Sequence, residues 1–514
     1  MSEASTANAT MDERESAVAP SLAEQPVQLA RTAPDGTDQH GLRSTVRRGT
    51  VWSLVGYGGS QVLRFGGNLL LTRLLVPEAF GAMALINALL VGLQLFSDIG
   101  IGPSIVQSPR GDQPAFLNTA WTMQTLRGFL LWLVACALAH PVAVFYGDPR
   151  LAWILPVAGL TALLGGFNST RIFSAYRHVD LARISVLELI SQAAGLVAMV
   201  VLALLYHSIW SLVAGGIVGT LAKLILSHTS LPGIANRFCW DKSALDQMLR
   251  FGRWIFASTL LTFLVGQSDR LIFGALIPLG ALGVYSVASM IAVMPSTALG
   301  RMASGVFFPI YSRVHNAGGD LGPVFLRVRR PLLILAGWMI AGLAGGGAAA
   351  VRLLYDARYE QAGWILQWLA LGSWFAILEG TNAAALLARG QSNWTAASSA
   401  GKLAGMVVLI PLGYHFGGFA GAVAGLAMTD LFKYGISAYA AARAGLKGWR
   451  QDLELTAWVL ATATLGLIAA EFAQREGFSN LGAAALVFFA VSCAWIPLGS
   501  SLIALRRAEV RLEN

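Results

Sequence analysis

The sequence predicts an all-α, polytopic membrane protein with about 14 transmembrane helices, and three observations carry that reading. Of 514 residues, 55% are hydrophobic and 12% charged, about half the charged share of a soluble domain, and the mean hydropathy is +0.61. Apolar runs of about 20 residues, each long enough to cross a bilayer, recur from about position 50 to about 504. The runs are continuous rather than alternating, which argues against a β-barrel.

The elements follow in order. Residues 1–42 are polar and rich in Ser, Thr, Ala and Glu. They lack the basic start and apolar core of a cleaved signal peptide, so they read as a disordered cytoplasmic tail. Spans are expected at approximately 50–72, 79–103, 116–139, 150–172, 183–205, 208–228, 252–276, 280–308, 329–351, 363–387, 394–414, 418–440, 455–473 and 482–504. Connections are short, the longest near 231–249 and 312–328, and none is large enough for a soluble domain. "LLVPEAFGAMAL" after span 1 is echoed by "ALIPLGALGVYS" after span 7, aligning Gly81 with Gly283 six spans later. That offset suggests two similar halves. The expected division is an N-lobe at 43–230 (helices 1–6), a cytoplasmic linker at 231–249 and a C-lobe at 250–445 (helices 7–12). Two last helices and a short basic tail fill 446–514.

With a cytoplasmic N-terminus, the inside loops would hold 22 basic residues, among them Arg43, Arg110, Arg177, Arg250, Arg329 and Arg450. The outside loops would hold five: Arg73, Arg150, Arg352, Arg358 and Arg475. This bias places both termini in the cytoplasm. It also accounts for the net charge of +9 without nucleic acid.

Charges inside spans are costly and usually face a cavity or a partner. In span 1, Tyr57, Gln61, Arg64, Asn68 and Thr72 recur at spacings that put all five on one helical face. Span 2 carries Asn87, Gln94 and Asp98 in the same manner. Helix-to-helix hydrogen bonding explains single Ser or Thr residues. A five-residue stripe containing Arg points to a water-filled cavity between the halves. Asp269 and Arg270 read either as a self-neutralising pair or as a cavity arginine with its balancing acid. Asp430 and Lys433 read as an i,i+3 pair, and Lys402 as a chain that snorkels to the interface. Asp98, Glu188 and Glu379 are the acids best placed for a coupling proton or cation. Trp52, Tyr57 and Tyr285 add aromatic faces to these spans.

Nothing in the sequence points to an enzyme or a cofactor. There is no GxxxxGK[ST], HExxH or GxSxG, the histidines do not cluster, and Cys136, Cys239 and Cys493 lack metal spacing. "LLVPEAFGAMALINALL…FSDIGIGPSIVQ" and "SDRLIFGALIPLGALGVYSVASMIA" resemble the polysaccharide transporters of the multidrug/oligosaccharidyl-lipid/polysaccharide superfamily, most nearly the Wzx-type flippases. The resemblance covers about residues 45–505. It implies two six-helix lobes around a central cavity plus two C-terminal helices. It also implies alternating access that moves undecaprenyl-diphosphate-linked oligosaccharide between leaflets for lipopolysaccharide or exopolysaccharide synthesis. Partners would be that substrate, membrane lipids, and a polymerase and chain-length regulator of the pathway. By helix and face it carries the diphosphate role onto Arg64, Arg270 and Arg301, with Gln61, Asn68 and Tyr57 beside them. A multidrug or metabolite cation exporter and a lipid II flippase are the alternatives.

Overall fold

The structure, a computed structural model, describes residues 39–98 and 100–513. The tail expected over 1–42 falls largely outside these residues. Among them every regular element is helical. In chain order these are α1 (Gln39–Leu74), α2 (Pro77–Phe96), α3 (Ile101–Gln107), α4 (Pro114–Tyr146), α5 (Leu151–Gly166), α6 (Arg171–Arg177), α7 (Leu181–Tyr206) and α8 (Trp210–Thr229). There follow α9 (Lys242–Leu276), α10 (Leu279–Met302), α11 (Phe308–Asn316), α12 (Leu321–Leu354), α13 (Ala362–Ala388), α14 (Ser392–Arg443), α15 (Trp449–Arg475) and α16 (Asn480–Glu513).

Each expected span coincides with a helix or a helix pair. By length and composition alone, nine of the described helices qualify as membrane spans, or ten if α5 and α6, bent by 59°, count as one. The expected count of 14 is therefore not reached by that criterion. One reason is that α14 is two helices joined at Gly417 and Gly418, where Gly418 adopts φ 56°, a left-handed conformation open to glycine at little cost.

The helices pack in two groups. In the first, α1 lies on α7, α7 on α8, α4 on α5, and α5 on α8. In the second, α10 and α12 flank α13, α13 packs on α14, and α14 also packs on α9. The last two helices, α15 and α16, dock on α12 through close glycine contacts such as Gly345 on Gly466.

The groups meet where α2 crosses α10. A Cβ on Gly81 would stand 1.8 Å from Leu279 O, and one on Gly283 would stand 1.9 Å from Pro77 O. The contact is reciprocal, so the two glycines aligned by the sequence echo are the ones that touch. It lies at the end of the molecule away from the 230–241 linker. The linker end is joined differently. The first turns of α9 bury Ala244 and Met248 among Ile101, Ile105, Phe116, Leu117 and Ala120 of α3 and α4. Arg110 pairs there with Asp241 at 2.8 Å.

Because no side chain fits in the α2–α10 crossing, Gly283→Ala should lower the melting temperature of the purified protein, by overpacking worth about 1–3 kcal/mol. Gly66→Ala, where a Cβ meets nothing within 4 Å, should leave it unchanged or raise it slightly. Equal melting temperatures for the two variants would contradict the crossing.

Candidate functional site

The α1 stripe faces the second group of helices at both of its ends. The Arg301 guanidinium stacks over the Tyr57 ring, with Cζ 3.7 Å from the centroid. About three turns on, Asn68 Oδ1 accepts a 2.9 Å hydrogen bond from Tyr355 Oη. Gln61 and Arg64 lie between these contacts and on the same face. Gln61 is half-buried and Arg64 exposed. Arg64 thus lies exposed on the helix face whose two ends touch the second group. Beyond Asn68, Arg358 Nη2 donates to Thr72 O and Arg73 O, each at 3.1 Å, which fastens the end of α1 to the loop after α12.

Next to this latch lies a polar hollow of about 790 Å³ bordered by Glu78, Asp148, Arg150 and Arg358. Arg150 donates to Asp148 from Nε at 3.0 Å and Nη2 at 2.7 Å, and this bonding holds the Asp148 carboxyl below the usual carboxylate range.

The second set of polar groups is ionic and sits on α9, α13 and α14. Asp269 is buried, and its Oδ2 accepts a 2.5 Å hydrogen bond from Tyr285 Oη. Arg270 stands 3.7 Å from Asp269 and donates to Gly266 O and Gln267 Oε1 of its own helix. Lys402 Nζ meets Asp430 at 2.6 Å, and Lys433 Nζ meets Glu379 at 3.0 Å. Ser398 Oγ donates to the other Glu379 oxygen at 3.4 Å. The bases match the acids one for one.

The third set lines a cavity of about 820 Å³ within the first group. Its wall is shaped by the break between α5 and α6. There the freed carbonyls are capped by side chains: Gln124 Nε2 bonds Gly165 O, Gly166 O and Asn168 O, and Trp121 Nε1 bonds Phe167 O. Asp98 and Arg127 face this cavity 3.9 Å apart, and Glu188 and Lys223 do so 3.8 Å apart.

A family model described as polysaccharide biosynthesis protein matches residues 70–363, more than half of the chain. The chain belongs to that family. Over 327 residues it is 25% identical to the succinoglycan biosynthesis transport protein ExoT of Rhizobium meliloti (strain 1021), covering 64% of this chain and 66% of that protein. Its fold is similar to a solved structure of the lipid II flippase MurJ in an inward closed conformation. The TM-score is 0.69 at 12% identity, over 88% of this chain and 100% of that one. A multidrug resistance MATE family transporter in an inward-facing conformation is also similar, with a TM-score of 0.60 at 12% identity, over 77% of this chain and 95% of that one. Among the described residues of this chain every regular element is helical, and the chain shares the fold of these two transporters.

For this member of the polysaccharide biosynthesis family, several sequence expectations need correction. Asp430 and Lys433 do not pair with each other. Each turns to another helical segment, because the break at Gly417 and Gly418 folds the two arms of α14 together and brings Lys402 to Asp430. Lys402 thus stays inside rather than snorkelling. Tyr285 is buried and bonded to Asp269, so its ring offers no face to a sugar. Arg329, counted among loop charges, is fully buried in α12. It bonds Gln451, Thr381, Asn382 and Gly448 O, and pairs with Asp452. Reasoning from sequence missed Tyr355, Arg127 as a cap on α2, and Lys223. Arg127 and Lys223 each carried a signal, as a charge within an expected span, and Tyr355 carried none.

The Lys433–Glu379 pair makes a specific prediction. Removing one partner of a buried pair costs about 3–5 kcal/mol, whereas replacing both is often nearly neutral. Glu379→Gln and Lys433→Met should each lower the amount of protein in membranes, and the double variant should recover it. A double variant as depleted as either single would contradict the pairing.

Proposed function

We propose that the protein is a flippase that moves undecaprenyl-diphosphate-linked oligosaccharide repeat units across the bacterial inner membrane by alternating access. The observation that carries this reading is Arg64, exposed on the cleft-facing side of α1 between Tyr57–Arg301 and Asn68–Tyr355. A guanidinium held in such a cleft suits a diphosphate, whose oxygens match its forked donors. Arg301 stands at one end of the same face. Arg270 is the third cationic candidate, and Gln61, Asn68 and Tyr57 supply polar groups between. A cleft with arginine at its centre disfavours a cationic cargo, so a cation exporter fits less well. Lipid II shares the diphosphate chemistry.

The two groups of helices are the lobes, dividing near 43–230 and 250–445, with 231–249 as the linker and 446–514 as the last two helices. The basic bias supports a cytoplasmic linker end and termini, so the α2–α10 crossing closes the outer side. A coupling proton or cation would act on Asp98, Glu188 or Glu379. At each it must compete with a base: Arg127, Lys223 or Lys433. A polymerase and a chain-length regulator would act on the delivered units.

The test is glycan export in a flippase-deleted host, with the amount of membrane protein as control. Losing a bond to a charged group costs about 1.5–3 kcal/mol, so Arg64→Ala should reduce export roughly 10- to 100-fold. Arg301→Ala should act in the same direction. Arg64→Lys should keep part of the activity, since the charge survives and the fork does not. Full export by both alanine variants at normal protein level would refute the reading.

A further inference from the structure

We propose that the cavity enclosed by the first group of helices is a glycan subsite that takes a neutral sugar unit of the substrate, apart from the cleft that takes the diphosphate. The inference rests on the flippase reading and adds to it a second place of contact.

The ion pairs at this cavity are looser than those on α13 and α14, and resemble in distance Asp269–Arg270 at 3.7 Å. In the second group, Lys402–Asp430 and Lys433–Glu379 close to 2.6 and 3.0 Å, the contact distances of charge-assisted bonds. In the first group, Asp98–Arg127 and Glu188–Lys223 stand at 3.9 and 3.8 Å, too far for a hydrogen bond. All four of these groups face the cavity. Glu188 and Lys223 keep 52% and 37% of their side-chain surface exposed, so they retain donors and acceptors for a ligand.

A hydroxyl is the group that fits between such partners. It donates to the carboxylate and accepts from the ammonium at once. The four charges sum to zero, which gives no preference for a phosphate. The rest of the wall is mostly apolar, with Phe173 and Tyr176 beside the charged pairs. A sugar ring presents hydroxyls on its rim and C–H groups on its faces, and this wall meets both. The volume of about 820 Å³ lies in the range of small-molecule sites, about 300–1,000 Å³.

Position supports the same ligand. The cavity lies at the linker end: Ser169 on its wall donates to Asn236 Oδ1 of the linker at 2.7 Å. A substrate loaded from that side would meet the cavity before the outer closure at Gly81 and Gly283.

The test uses two probes that split the substrate. Methyl β-D-glucoside and methyl β-D-galactoside carry sugar without phosphate; farnesyl diphosphate carries phosphate without sugar. Binding to the full-length protein in nanodiscs is read by saturation-transfer NMR for the glycosides and by calorimetry for the diphosphate. At least one glycoside should bind. Lys223→Met should weaken it about tenfold, the loss of one bond to a charged group. Thr161→Trp, which fills the cavity, should abolish it. Neither variant should change farnesyl diphosphate binding, which Arg64→Ala should weaken. Glycoside binding that is absent, or that survives Thr161→Trp, or that is lost in Arg64→Ala instead, would overturn the subsite. Farnesyl diphosphate binding indifferent to Arg64→Ala and Arg301→Ala would sink the flippase reading separately.

Discussion

Where α2 and α10 cross, Gly81 and Gly283 let two helix backbones touch with nothing between them. Inside a bilayer this matters more than in water. Lipid tails are as apolar as leucine, so helices associate through close packing rather than through a hydrophobic drive. Small residues that allow backbone contact therefore decide which surfaces stay together. Around this crossing runs one continuous core that draws on both halves, including Leu85 and Ile86 of α2, Phe273 of α9, Leu282 of α10, and Tyr355 and Tyr359 beyond α12. The far end of the molecule is sealed by this packing. On the proposed reading, Arg64 faces a cleft beneath this packing, and for that cleft to open outward the crossing must part.

Polar contacts add a second layer at the same end. Tyr355 on Asn68 bridges the halves with an ordinary hydrogen bond worth about 1 kcal/mol net, and Arg358 on the last carbonyls of α1 with charge-assisted ones of about 1.5–3 kcal/mol. Bonds of that size hold a state without trapping it. The interior ion pairs behave otherwise. Arg329 with Asp452 is fully buried and multiply bonded, and Lys433 with Glu379 is largely buried, so they fix helices within one half. The division of labour follows from energetics: strong buried pairs within a half, weaker exchangeable contacts between halves.

Much of this was legible in the sequence. Hydropathy alone sets where helices run, because a chain in lipid has few other ways to satisfy its backbone. The α1 stripe shows itself through its spacing, since a helical face is a local property. The Gly81–Gly283 echo was readable because a pseudo-symmetric contact writes itself twice. What stayed hidden were choices between distant partners. Spacing offered Asp430 a neighbour at Lys433, but the chain reversal at Gly417 and Gly418 supplied Lys402 across the bend. Arg329 looked like a loop charge because its partners come from α13 and α15. The cavity of the first half depends on the break at 167–170, where Gln124 and Trp121 cap carbonyls some forty residues away in sequence, and no local pattern announces it.

The central claim is that the seal at Asn68 and Tyr355 must open for cargo to leave. It can be tested directly by placing cysteines at positions 68 and 355 in a background lacking Cys136, Cys239 and Cys493. The pair is then bridged with a short bismaleimide, and glycan export is followed in a flippase-deleted host. Export should stop in proportion to the bridged fraction, while either single cysteine treated in the same way should keep the export level it shows before treatment. Undiminished export with the bridge complete would show that the seal does not open in transport.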